Sequence, residues 1–287
     1  MSKASVLSPR EQALSPVAGA SKELRVTSDK WLAELWRYRE LLYFLAWRDI
    51  KVRYKQAILG AAWAIIQPLF TMLIFTFFFG RLAKMPSDGV PYPLFCFCAL
   101  VPWTYFSGTL GQAGNSLVSN TNLITKVYFP RVLLPAASAL SGLLDFAIGS
   151  VCLAALMVYY KVTPGWQVIL WPLAILGMVS VTLGASMLFA GLNVRYRDVK
   201  YVIPFMIQVG LFVTPVIYPA SFLPDRLRPF LALNPLSGII EMFRGALFPQ
   251  QKMDLHLVTI SMIVALLLLV SGAAYFRRSE KTFADII

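Results

Sequence analysis

The chain has 287 residues, of which 58% are hydrophobic and only 14% are charged, and its mean hydropathy is +0.66. Because a soluble domain carries about a quarter charged residues, this composition excludes an ordinary soluble fold. The charged residues also occur in short clusters that are separated by long uncharged stretches. Uncharged apolar stretches of about 18 residues or more are typical of membrane-spanning helices, since a helix satisfies its own backbone hydrogen bonds in lipid.

The N-terminal segment is rich in Ser, Ala and Pro and contains no apolar run. It therefore lacks the hydrophobic region of a signal peptide, and we expect residues 1–30 to form a disordered cytoplasmic tail.

The next segment, residues 31–55, has basic and aromatic character. Its apolar residues recur at helical spacing and fall on one face: Trp31, Leu35, Tyr38, Leu42 and Leu45. The pattern predicts an amphipathic interfacial helix, which either anchors the chain at the membrane surface or docks a partner protein.

The remaining residues, 56–287, are predicted to form an all-α, polytopic transmembrane domain with six spans. The spans are expected at about 59–79, 92–118, 132–158, 168–192, 201–218 and 255–276. Between spans five and six the sequence stays apolar but is interrupted repeatedly by proline. Irregular backbone at membrane depth is tolerated only where protein or a water-filled cavity covers it, so we expect a re-entrant helical hairpin there, with an interfacial loop as the alternative.

The distribution of Lys and Arg predicts the orientation. Most of the 26 basic residues lie on the side that carries both termini, and short cytoplasmic loops carry such an excess. Both termini are therefore expected in the cytoplasm. This topology also accounts for the net charge of +12 without nucleic-acid binding.

No motif for catalysis or metal binding is present in the sequence. Cys96, Cys98 and Cys152 lack the spacing of a zinc site, and the chain has no nucleophile elbow, HExxH or Walker A motif. We therefore expect no catalytic residue, no metal and no bound cofactor. A membrane-bound transferase that uses loop carboxylates stays open as an alternative, with Asp88, Asp225 and Glu241 as its candidate residues.

Asp145 is an acidic residue inside a predicted span, where a carboxyl group by default faces other helices or a cavity. We expect a buried helix-packing hydrogen bond near Ser141 or Ser180 rather than a proton relay. A gradient-driven secondary transporter would need more such acids and an internal repeat, which the sequence does not show.

Aromatic residues in the spans are the candidates for lining a transport pathway, because aromatic faces stack on the C–H faces of sugars. They are Trp63, Trp103, Tyr105, Phe106, Phe212 and Tyr218. The alternative for each is a position that faces lipid or packs inside the bundle.

Several ordered motifs resemble one family. RYKQAILGAAWAIIQP (53–68), LNVRYRDVKYVIPFMIQVGLFVTPVIYP (192–219), LNPLSGIIEMFRGALF (233–248) and the tail RRSEKTFADII (277–287) look like ABC-2 type permeases that export polysaccharide. The resemblance covers the chain from about Trp31 to its end and is nearest to O-antigen exporters, with teichoic-acid and capsule exporters as relatives.

The resemblance implies a homodimeric channel in the bacterial inner membrane, together with two copies of a separate ATPase that binds ATP and Mg²⁺. It places a coupling helix at 121–129, with these coupling candidates: Arg48, Arg53, Thr121, Asn122, Ile124, Lys126, Tyr128 and Phe129. It also implies gating or structural roles for Arg197, Asp198, Pro219, Pro235, Glu241 and Arg244, and Asp145, the acidic residue inside a predicted span, is a further structural candidate from the hydropathy pattern alone. For Arg197 and Asp198, a plain surface ion pair is the alternative.

The function implied is export of a lipid-linked polysaccharide, with the chain as a transport subunit rather than an enzyme. An ABC-2 exporter of capsule, teichoic acid or a smaller lipid or drug is the nearest alternative.

Overall fold

The computed structural model describes residues 36–55, 62–224, 226–251, 253–280 and 283. The predicted tail and the first residues of the predicted amphipathic helix lie outside these ranges. By its contacts the chain divides into residues 1–40 and residues 41–287, and the contacts described below are all within the second unit.

The regular elements of the described residues are helical. The α-helices are α1 (Arg39–Lys55), α2 (Trp63–Phe75), α3 (Tyr92–Gly114), α4 (Ser116–Ser119), α5 (Thr121–Lys126), α6 (Leu133–Tyr159), α7 (Trp171–Arg195), α8 (Val199–Val213), α9 (Arg228–Ala232), α10 (Pro235–Leu247) and α11 (Leu255–Ser279). A π-helical stretch, Thr76–Leu82, continues α2, and short 3₁₀ helices cover Trp166–Leu170 and Ala220–Phe222.

Five helices in the described part of the chain are long and apolar enough to cross a bilayer. They are Trp63–Leu82, Tyr92–Gly114, Leu133–Tyr159, Trp166–Arg195 and Leu255–Ser279. The helix at the fifth predicted span, α8, has 15 residues, which give a length of about 22 Å against a hydrocarbon core of about 30 Å. The chain is thus a multi-pass, all-helical membrane protein.

α3 is the central helix of the bundle, and α2 lies at its edge. Of the most apolar 18-residue stretch of α3, 72% is buried inside the chain. Of the corresponding stretch in the helix Trp63–Leu82, which begins with α2, only 11% is buried. α3 packs against α6, α7, α2 and α10. The exposed apolar faces of α2 and α8 are therefore free to meet lipid or another protein chain.

α7 and α11 approach each other at backbone distance. A Cβ atom built on Gly184 would lie 2.7 Å from the carbonyl carbon of Leu268, and one on Gly272 would lie 2.2 Å from the carbonyl oxygen of Gly184. Small residues allow such close helix packing in membranes, where dispersion contacts replace the hydrophobic effect between helices.

The segment between α8 and α11 forms two short helices. α10 is buried almost throughout and packs on α11, α7 and α3, and Asn234 caps its first turn by accepting a hydrogen bond from the N–H of Leu236 at 3.1 Å. This segment fills the end of the bundle that is opposite α1.

Candidate functional site

The helix predicted within residues 121–129 is present as α5, although it is shorter than expected, and its coupling role stays a prediction. It ends at Lys126 rather than Phe129, since Val127 takes an extended conformation and Pro130 disfavours helix in the residue before it. Ile124 and Phe129 are 6% and 4% exposed and anchor this segment to the bundle. Their neighbours Asn122, Lys126 and Tyr128 are exposed, and Tyr128 reaches 83%.

Thr121, the first residue of α5, is half-buried. The residue before it, Asn120, connects α5 to α1, because the Arg48 guanidinium donates to Asn120 Oδ1 at 3.0 Å and also pairs with Asp49 at 2.9 Å. Beyond α5, the backbone N–H of Arg131 donates to Glu280 Oε1 at 2.6 Å, just after α11. Both flanks of α5 are therefore tied to other elements.

Arg53 and Tyr54, at the end of α1, contact the middle of the bundle. Arg53 pairs with Asp145 of α6 and donates to Gln112 of α3, and the Tyr54 hydroxyl also donates to Asp145. Burial, and next the Asp145 carboxylate, raise the pKa of Tyr54 to about 12, so its phenol stays protonated as a donor.

The prediction that Asp145 forms a hydrogen bond near Ser141 or Ser180 was wrong. The Ser141 and Ser180 hydroxyls bond to carbonyl groups of their own helices, namely those of Ser138 and Leu176. The hydropathy pattern placed Asp145 inside a span, but no pattern shows that the end of α1 lies against that span. For the same reason the sequence did not single out Tyr54 or Gln112.

The six aromatic candidates do not form one continuous surface within a single chain. Trp63 and Phe212 are 53% and 57% exposed, whereas Trp103 and Tyr105 are buried in the core. Phe106 is half-buried beside Trp103, with 5.8 Å between the ring centroids. The half-buried Tyr218 directs its hydroxyl to the carbonyl oxygens of Phe212 and Val213, at 3.2 and 3.1 Å. Their lining role stays a prediction.

Arg244 holds the irregular backbone that follows α8. Its side chain is fully buried, donates to the carbonyl oxygens of Val216 and Tyr218 at 2.9 and 3.5 Å, and lies 3.5 Å from the centre of the Phe95 ring. The Tyr92 hydroxyl, which the sequence did not single out, donates to the Ile217 carbonyl at 2.8 Å. Non-helical backbone in an apolar environment needs such internal donors.

Glu241 lies one turn before Arg244 on α10 and is 4% exposed. Burial raises the pKa of this carboxyl to about 7, partly opposed by Arg244. Among the other gating candidates, Pro219 is buried just before a 3₁₀ helix, and Pro235 opens α10.

Arg197 and Asp198 lie in the short connection between α7 and α8 and are both exposed. Ion pairs within the described ranges include Arg48–Asp49 and Arg53–Asp145. Arg197 and Asp198 do not form the surface ion pair that was the alternative for them. The described residues also contain no group of three or more His, Cys, Asp or Glu side chains that could hold a metal ion.

Comparison with known proteins gives a consistent set of matches. The profile of the family described as "ABC-2 type transporter" matches residues 40–248. The O-antigen export system permease protein RfbA of Myxococcus xanthus is 29% identical over 257 residues, which are 88% of this chain and 98% of that protein. A Klebsiella pneumoniae protein of the same name is 27% identical over 252 residues, 86% of this chain and 95% of the relative. The polysialic acid transport protein KpsM of Escherichia coli is 23% identical over 242 residues, 82% and 91% of the two chains.

Proposed function

Since the chain belongs to the ABC-2 type transporter family, we propose that it is the permease subunit of an ATP-driven exporter of lipid-linked polysaccharide. The observation that carries this proposal is similarity along nearly the whole length of permeases named for O-antigen export. The five long apolar helices supply the membrane domain that such a role requires. The chain is then a transport subunit located in a bacterial inner membrane, with both termini in the cytoplasm.

The energy source in this proposal is a separate ATPase, present in two copies, which binds ATP and Mg²⁺. The exposed side of α5 and the residue Tyr128 are its proposed contact on this chain. Because Arg48 links α1 to Asn120 at the start of α5, a push on α5 would also move α1. Arg53 would carry that movement to α3 and α6 through Gln112 and Asp145.

Two copies of the chain form the channel in this proposal. α2 and α8 have strongly exposed apolar faces, and we propose that α2 of one copy meets α8 of the other along the pathway. α8 is counted as the fifth span, which brings the total to six, since a short helix can cross the bilayer together with protein-covered backbone that follows it. Trp63 and Phe212, the exposed aromatics of these two helices, would then face the glycan.

The pair α9 and α10 is proposed as the re-entrant hairpin that closes the outer end of the pathway. Arg244 joins α10 to the backbone after α8, so a movement of α8 would be transmitted to this hairpin. The mechanism is physical rather than catalytic. A pathway with few charges lets a long polar polymer slide without binding tightly at any position.

An O-antigen is the first candidate substrate, because the relatives named for O-antigen export are 27–29% identical, compared with 23% for the polysialic acid transporter. A capsule polysaccharide is the second candidate, supported by that transporter. Both candidates are polysaccharides, whereas no comparison supports a smaller lipid or a drug.

Reconstitution with the partner ATPase in liposomes tests the proposal. We expect lipid-linked glycan to stimulate ATP hydrolysis and to become accessible to an externally added lectin only when ATP is present. The ATPase alone and a non-hydrolysable ATP analogue are the controls. If lipid-linked glycan changes neither hydrolysis nor lectin accessibility, the proposed function is wrong.

A further inference from the structure

A cavity of about 530 Å³ lies between α2, α3 and α6, next to the end of α1. Its volume is within the range of about 300–1,000 Å³ that is usual for small-molecule sites in proteins. Gly108 and Gln67 line it and are exposed, and so is Trp63, so a ligand can enter from the surface of the chain. The mechanism proposed above uses Arg53, Gln112 and Asp145 of its wall to transmit movement and places Trp63 beside the glycan, but it assigns no ligand to the space itself.

The chemistry of the cavity wall favours an uncharged polar ligand. Its two charged side chains, Arg53 and Asp145, pair with each other, so the wall has no net charge. A phosphate group would meet the Asp145 carboxylate, and a cation would meet the Arg53 guanidinium. The other polar groups are amides and hydroxyls, which offer both donors and acceptors: Tyr54, Gln67, Thr104, Ser107, Thr109 and Gln112.

Two of these hydroxyl groups bond only to their own helix. The Thr104 hydroxyl donates to the carbonyl oxygen of Val101 at 3.0 Å, and the Ser107 hydroxyl donates to that of Thr104 at 3.3 Å. Each donates its one proton along α3 and keeps its acceptor lone pairs, so both can accept a hydrogen bond from a hydroxyl group of a ligand in the cavity. Trp63 adds an exposed aromatic face at the rim, which is suited to the C–H face of a sugar ring.

We infer that this cavity binds one or two neutral sugar units of the lipid-linked glycan, those next to its lipid carrier. The inference rests on the proposed function, because only a lipid-linked glycan places sugar at this depth among spanning helices. The sugars adjacent to the carrier are the ones held at the level of the membrane. The cavity lies beside α1, the helix that the coupling segment contacts through Arg48 and Asn120. Sugar bound there would sit where the movement of α1 enters the bundle.

Two substitutions test the site without disturbing the fold. A Cβ atom on Gly108 meets nothing within 4 Å, so Gly108→Leu places a side chain in open space and fills part of the cavity. Ser107→Ala removes one of the cavity hydroxyls that bond only to their own helix. Gly111→Ala controls for the change of backbone, because Gly111 lies on the same helix outside the cavity and its Cβ atom would meet only Ile207, at 4.0 Å. Ser180→Ala is the matched hydroxyl control, because Ser180 lies outside the cavity and bonds to its own helix at 2.8 Å.

The measurement is equilibrium binding to the complex of permease and ATPase in nanodiscs. The probes are a polyprenyl diphosphate that carries one N-acetylglucosamine and the same diphosphate without sugar. We expect Ser107→Ala to weaken binding of the sugar-bearing probe roughly three- to tenfold, the effect of one hydrogen bond, and Gly108→Leu to weaken it at least as much. Neither substitution should change binding of the sugar-free probe. The two control variants should bind both probes as the wild type does.

Three results would overturn the inference. Unchanged binding of the sugar-bearing probe by both variants, with unchanged thermal stability, would show that the cavity takes no part. Equal weakening for both probes would show that the cavity holds the diphosphate or the lipid. A wild-type complex that transports lipid-linked glycan but does not bind the sugar-bearing probe would overturn the site alone, whereas one that does neither would overturn the proposed function as well.

Discussion

The guanidinium of Arg244 lies 2.9 Å from the carbonyl oxygen of Val216, although neither residue belongs to one of the five long apolar helices. α8 ends at Val213, and the chain then runs without regular structure through a buried stretch. Each backbone carbonyl in that stretch needs a donor that water cannot supply. Arg244 provides two of the donors and Tyr92 provides a third.

We therefore expect Arg244→Met to destabilise the chain strongly. The substitution keeps an apolar stem beside Phe95 but leaves the Val216 and Tyr218 carbonyls unpaired, at about 1–3 kcal/mol for each buried group. The thermal unfolding midpoint in detergent, followed by intrinsic fluorescence, measures this change. Arg226→Met is the control, because Arg226 is exposed. An equal midpoint for the two variants would contradict the role assigned to Arg244.

The raised pKa of Glu241 predicts that the free energy of unfolding depends on pH. Burial raises its pKa from an ordinary value of 4.5 to about 7, and the charged groups that act on it are Arg244, Asp88, Asp254 and Arg228. A carboxyl whose pKa is raised binds more protons in the folded than in the unfolded chain, so its contribution to stability falls as the pH rises from about 4.5 to 7.

Glu241→Gln should remove this component of the pH dependence. We expect the variant to lose less stability than the wild type between pH 5 and pH 8, in the thermal unfolding midpoint measured in the same detergent. Glu40→Gln serves as the control, because Glu40 is exposed. A pH profile of Glu241→Gln that overlays the wild-type profile would show that Glu241 does not titrate in this window.

The positions of the long helices could be predicted from the sequence alone. The spans expected at 92–118 and 132–158 appear as Tyr92–Gly114 and Leu133–Tyr159, because an uncharged apolar stretch of this length has no other stable form in lipid. The end of α8 was placed too late, at residue 218. Thr214 is extended, as expected for a residue that precedes a proline, and Pro215 was a usable signal.

The contacts of the polar residues could not be predicted in the same way. The Arg53 and Asp145 side chains are 92 positions apart in sequence, and their pairing depends on how α1 lies against α3 and α6. Hydropathy identifies the helices but not which helices are neighbours. Arg244 could be named only through the family resemblance, since nothing in its local sequence indicates that carbonyl groups from residues 216 and 218 surround it.

The contact between α7 and α11 gives a prediction about packing. Because a Cβ atom on Gly272 would overlap the Gly184 backbone, we expect Gly272→Val to force the two helices apart and to lower folded yield and unfolding midpoint sharply. Gly108→Ala controls for the loss of a glycine, since its Cβ atom meets nothing within 4 Å. Normal yield and midpoint for Gly272→Val would mean that the helices do not pack this closely.

The strong exposure of Tyr128 leads to a prediction about how the chain binds its proposed ATPase. Its side chain is 83% exposed next to α5, while Phe129 beside it is 4% exposed and fixes the segment. An exposed tyrosine on a rigid segment is typical of residues that dominate the binding energy of a protein interface. We expect Tyr128→Ala to weaken assembly with the ATPase at least tenfold, measured by co-purification and by titration in detergent, and to leave the permease itself equally stable.

Tyr159→Ala is the matched control for that experiment. Tyr159 is 76% exposed at the C-terminal end of α6, whereas α5 precedes the start of that helix, so Tyr159→Ala removes a comparable exposed ring at the far end of α6. Assembly with the ATPase should be unchanged in this variant. If both variants weaken assembly equally, the loss reflects a general property of the surface, and the ATPase does not contact the α5 side specifically.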